Sequence, residues 1–170
     1  GLVMLKQLIV TLIGDDKSGL INNLSRVVAE HKGNWLASNM SELAGQFAGI
    51  LQVSVEDEYY RDLCEALSLI PGLTINFAEG KNQSIWKKSP CLIIQDNDRP
   101  GIINEISKIL TQHGIELKAI TTHSKDLWQS DNNRFYAKLK LALPETLDHD
   151  MFNGDLAKIS PTLITEMTEA

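Results

Sequence analysis

Ile94-Gln95-Asp96-Asn97-Asp98-Arg99-Pro100-Gly101-Ile102-Ile103-Asn104 decides the fold, because Leu12-Ile13-Gly14-Asp15-Asp16-Lys17-Ser18-Gly19-Leu20-Ile21-Asn22 anticipates it 82 residues upstream. In both stretches an apolar strand runs into Asp-x-x-Gly and a helix begins. The match continues through Ser25 and Ser107 to His31 and His113. Leu20, Ile21, Leu24, Val27 and Val28 fall on Ile102, Ile103, Ile106, Ile109 and Leu110, the spacing that keeps one helical face apolar. After a one-residue gap, Gly33 aligns with Gly114 as the left-handed stop of that helix.

Further along, Phe47, Gly49, Leu51, Val53 and Val55 alternate with period two, as do Phe135, Ala137, Leu139, Leu141 and Leu143, which predicts half-buried strands. The offset there has grown to 88, so about seven extra residues are expected in the second hairpin loop, the polar stretch 124–133. Second helices are predicted over 58–69 and 147–159, and closing strands over 73–77 and 163–167. The order is βαββαβ twice. The fold class is therefore α+β, two ferredoxin-like domains, each a four-stranded antiparallel sheet with two helices on one face. The boundaries read as 1–80, a linker over 81–89, and 90–170. A sheet covered on one side only predicts pairing through the open face or an edge, between domains or in a homodimer.

The 170 residues are 43% hydrophobic and 22% charged, which is the make-up of a globular protein with a packed core. A net charge of −6, with Lys87-Lys88 as the only dense basic cluster, argues against a duplex-DNA surface and against direct nucleic-acid contact. Cys64 and Cys91 lack metal-ligand spacing and read as buried thiols. No stretch is long and apolar enough for a membrane span and no signal-peptide pattern opens the chain, so a cytoplasmic protein is expected. Asp15-Asp16 and Asp96-Asn97-Asp98 lack the alternation of a calcium loop, and His123 and His149 lack partners at ligand spacing. His31 and His113 close equivalent helices. No metal, cofactor or catalytic residue is expected, because none of the usual nucleophile, phosphate-loop or dinucleotide motifs is present.

The chemistry lies in the repeated turn. Asp15, Asp16 and Gly19 in one copy, and Asn97, Asp98 and Gly101 in the other, sit where a glycine permits close backbone approach and a helix N-terminus attracts a carboxylate. The residues alone leave open a plainer role, in which Asp caps the helix and Gly only turns the chain.

Asp98-Arg99-Pro100-Gly101-Ile102-Ile103, with the helix ending at His113-Gly114-Ile115, resembles the Asp-x-Pro-Gly … Gly-Ile-Asn-Ile signature of ACT domains. The first copy keeps Asp16 and Gly19 and has Ser18 for proline. The resemblance implies a regulatory module that binds an amino acid such as glycine, held between this turn and the start of the second strand of a neighbouring domain, at the Asn of Gly-Ile-Asn. There the two copies read Trp35 and Glu116, with Asn34 and Ile115 adjoining. Two copies without a catalytic domain imply a non-enzymatic regulator that contacts a DNA-binding transcription activator, or alternatively a regulatory subunit of a metabolic enzyme. Trp128, on the polar loop, either packs on its own domain or anchors a partner.

Overall fold

A computed structural model describes residues 3–15, 19–81, 89–124 and 134–169. The chain divides into two compact units, residues 1–84 and 85–170. The expected linker falls almost wholly on 82–88, outside the described residues.

The first unit runs β1 (Leu5–Asp15), α1 (Leu20–Glu30), β2 (Asn34–Leu43), β3 (Gln46–Glu56), α2 (Asp57–Ser68) and β4 (Leu73–Glu79). The second runs β5 (Cys91–Asn97), α3 (Ile102–Gln112), β6 (Glu116–Ser124), β7 (Arg134–Ala142), α4 (His149–Ala157) and β8 (Ile164–Thr168). The sheets have the orders β2-β3-β1-β4 and β6-β7-β5-β8, with every pairing antiparallel. These are two tandem ACT-like βαββαβ domains.

Alternation along each central strand separates core from surface. Leu8, Val10 and Leu12 of β1 and Leu51, Val53 and Val55 of β3 are buried against Leu24, Val27 and Val28 of α1 and Leu63 and Leu67 of α2. The second core repeats this with Leu92 and Ile94, Phe135 to Leu141 in alternation, Ile102, Ile106 and Leu110 of α3, and Phe152 and Leu156 of α4. Each such side chain contributes about 1.5–3 kcal/mol by leaving water. Cys64 and Cys91 are half-buried free thiols rather than fully buried ones; burial still pushes the Cys64 thiol up.

The structure corrects the alignment of the copies after the first helix. Gly33 N–H donates to Val28 O at 2.9 Å and Ile115 N–H to Leu110 O at 3.0 Å, so Gly33 is equivalent to Ile115 and no gap exists. The left-handed stop is Lys32, at φ 64°, matching Gly114 at φ 67°. Glycine at 33 serves packing instead, since a Cβ there would lie 2.9 Å from methyl carbons of Val28 and Val53. The bulges agree, falling between Trp35 and Ala37 and between Leu117 and Ala119. The offset therefore stays at 82 through Glu42 and Ser124 and becomes 88 at Gln46 and Arg134, which makes the second loop longer by six residues. In the first hairpin Ala44 and Gly45, both at positive φ, make the tight turn.

Candidate functional site

Both turns are built around a left-handed glycine. Gly101 has φ 87° and ψ 0°, Gly19 φ 86° and ψ 3°, and each is the N-cap of its helix. The first helical hydrogen bonds close on them, Asn23 N–H to Gly19 O at 2.9 Å and Glu105 N–H to Gly101 O at 3.0 Å. Among the described residues no side chain caps either helix. The capping role considered for aspartate thus does not hold at Asp98, which is exposed; Asp16 lies outside the described residues. The reason is geometric: a glycine occupies the N-cap and has no side chain to offer the first-turn N–H groups, which suit a ligand carboxylate.

The flanking residues differ between copies. Asp15 is exposed and its carboxylate accepts from Gln46 Nε2 at 2.7 Å. Asn97 donates its backbone N–H to Asp96 Oδ1 at 2.7 Å. Asp96, which sequence reasoning treated only as a calcium candidate, is the buried anchor of the second turn, at 1% exposure. Its Oδ1 also accepts from Thr162 Oγ1 at 2.6 Å. Burial opposes ionisation of Asp96, but the hydroxyls of Thr162 and Ser160, the Asn97 N–H and the Arg99 charge outweigh it and hold the carboxyl below its usual range. Strand alternation after Leu92 and Ile94 was the available signal that Asp96 points inward. At the equivalent place in the first copy, Gly14 lies so close to the backbone of Gly72 that a Cβ would meet its carbonyl oxygen. Arg99 completes the second turn by donating to both oxygens of Glu105, with one contact of 3.2 Å, and to Ile159 O at 3.3 Å.

The second-strand positions change with the corrected alignment. Asn34 pairs with Ser54 and Glu116 with Ala142, while Trp35 pairs with Val53 and Leu117 with Leu141. Asn34, not Trp35, therefore stands opposite Glu116 in the comparison of copies. Trp35 is half-buried against the first core and its Nε1–H donates to Ser38 Oγ at 3.2 Å. Asn34 is exposed. Ile115 is a core residue, and Glu116 is exposed and paired with Lys118 at 2.8 Å. The Lys118 hydrogen bond and charge hold the Glu116 carboxyl below its ordinary value.

Turn and second-strand start do not meet inside a unit. They lie at opposite ends of an 11-residue helix, which separates them by about 16 Å at 1.5 Å per residue. Trp128 falls outside the described residues. His31 and His113 are the C-caps of α1 and α3. His31 Nδ1 lies 2.8 Å from Val27 O, and His113 Nε2 lies 2.7 Å from Asp155 Oδ2 with its ring edge-on to Phe152. Among the described residues no three His, Cys, Asp or Glu side chains converge as a metal site, and no helix is long and apolar enough to cross a membrane.

Comparison with known proteins matches residues 6–74 to the ACT domain family. Among solved structures, an unknown protein from Galdieria sulphuraria superposes with a TM-score of 0.85 at 20% identity, covering 98% of this chain and 99% of that one. A candidate glycine cleavage system transcriptional repressor superposes at 0.74 with 12% identity, covering 98% and 99%. At such identities the likeness is one of fold. No curated protein matches the chain.

Proposed function

From a chain that contains an ACT domain and repeats its fold, we propose an amino-acid-responsive regulator of the glycine cleavage system, repressor-type, acting by contact with a DNA-binding activator. ACT domains are regulatory, ligand-binding modules rather than catalytic ones. The observation that carries the reading is the twice-built turn, in which a left-handed glycine leaves the first-turn N–H groups free of side-chain caps. Those donors and the helix dipole suit the carboxylate of an amino acid. Its ammonium needs a hydrogen-bond acceptor.

Asn34 supplies such an acceptor at the position where the resemblance calls for asparagine, and the Glu116–Lys118 pair occupies that position in the second copy. The two copies are therefore inequivalent. The proline-containing turn at Asp98–Gly101 keeps the family's pattern in the second copy, and the Asn34 strand start keeps it in the first. A ligand that binds one state of the protein better than another shifts the population toward it and so alters what the activator meets. The fold shared with the candidate repressor and the acidic net charge of −6 support action through a protein partner. A cytoplasmic homodimer fits this role.

Calorimetric titration of the full chain with each common amino acid tests the proposal. Glycine is expected to bind, and at a hundredfold excess over Kd to add about 2.7 kcal/mol of stability. That gain raises the Tm of a domain of this size by about 10–20 °C. Absence of heat and of any thermal shift with every amino acid at millimolar concentration would remove the sensing role.

A further inference from the structure

We propose that the open sheet face of the second unit binds single-stranded nucleic acid. Phe135, Ala137, Leu139 and Leu141 of β7 are buried toward the helices, so Arg134, Tyr136, Lys138 and Lys140 occupy the opposite face of a central strand. Tyr136 faces His123 of β6 across the sheet, and the two rings stack with centroids 4.8 Å apart and planes 16° from parallel. Lys138 and Lys140 are exposed, and none of the three cations of the row has an ion-pair partner among the described residues. The carboxylates on this face stand at its margins: Glu166 on the edge strand β8, and Glu116, already paired with Lys118.

The fold does not require this row. At the same register of β3 the first unit carries Gln46, Ala48, Ile50 and Gln52, with Ser41 opposite Ala48. The cations and rings are thus a property of one copy only. A four-stranded sheet that presents cations and aromatic rings on its uncovered face is the platform on which RNA-recognition domains stack bases and hold phosphates. Arg134, Tyr136 and Ala137 fit the first, third and fourth positions of the octamer such sheets carry, whereas Phe135, Lys138, Leu139 and Leu141 depart from it. The rings favour nucleic acid over an acidic protein segment, which would use the lysines and leave the rings idle. The acidic total, from which no direct nucleic-acid contact was expected, is an average over the chain; a single strand is held by a few local cations together with stacking. The inference does not depend on amino-acid binding at the turns.

Fluorescence anisotropy of the full chain with a labelled single-stranded RNA of about 12 nucleotides tests it. Binding is expected at a Kd of about 1–100 µM, with log K falling against log salt at a slope of about −2 for three phosphate contacts. Lys138→Gln/Lys140→Gln, at exposed positions, weakens binding about tenfold, and Tyr136→Ala about as much with a smaller change in salt slope. Three outcomes would overturn the proposal: no anisotropy change at about 100 µM protein, unchanged affinity in the double lysine variant with its circular dichroism preserved, or equal competition by polyglutamate, which would assign the face to an acidic protein segment.

Discussion

Lys32 shows how a single residue can carry a cost that its copy avoids. A non-glycine residue in the left-handed region is strained by about 1–2 kcal/mol, and Lys32 adopts φ 64° where the second copy has Gly114. Lys32→Gly is therefore expected to stabilise the first unit by about 1 kcal/mol in urea unfolding. Gly33→Ala should destabilise it, because the methyl group meets Val28 and Val53. Asp96 makes a pH-dependent contribution of known sign. Its carboxyl titrates below the ordinary 3.8 in the folded state, so the stability it adds is present above the unfolded value and is lost as pH falls through the folded one. Asp96→Asn should cost about 1–3 kcal/mol at neutral pH and flatten the acid limb of the stability curve below pH ~4. An acid limb identical to that of the parent chain would show that Asp96 is not the group responsible.

At the scale of elements, the periods of the apolar residues made the two βαββαβ orders legible, because a half-buried strand and an amphipathic helix each leave their own spacing. The ends of α1 were harder. Gly33 looked like a helix stop because glycine usually is one, and a lysine in the left-handed position leaves no sign in composition. That shift by one residue moved the site assignment from Asn34 to Trp35, although the tryptophan is a core-packing residue. The inward turn of Asp96 was readable from alternation, but its partner Thr162, 66 residues away, was not. In α4 the hydrophobic pattern is short, and Phe152 bears much of the packing at 1% exposure while also touching His113. Phe152→Ala is expected to destabilise the second unit by about 3–5 kcal/mol, read as faster amide exchange in β5 and β7.

For the whole molecule, duplication places two similar turns in one chain and then lets the copies diverge. The first has the asparagine at its second-strand start; the second has the proline turn and a Glu–Lys pair there. Each helix holds its turn and its strand start about 16 Å apart, so the two are separate tests of the proposed binding. Asn34→Ala should therefore weaken amino-acid binding about tenfold, the loss of one hydrogen bond to a charged group, while leaving the Tm without ligand within about 2 °C of the parent, as at other exposed surface positions. The central claim, that the glycine turns are where an amino acid is held, is tested most directly by titrating the isotope-labelled chain with glycine and following its amide resonances. The account predicts saturable shifts at the first-turn amides after Gly19 or Gly101 and at the Asn34 side chain, with the open sheet face unmoved. Saturable shifts confined to other residues would contradict it.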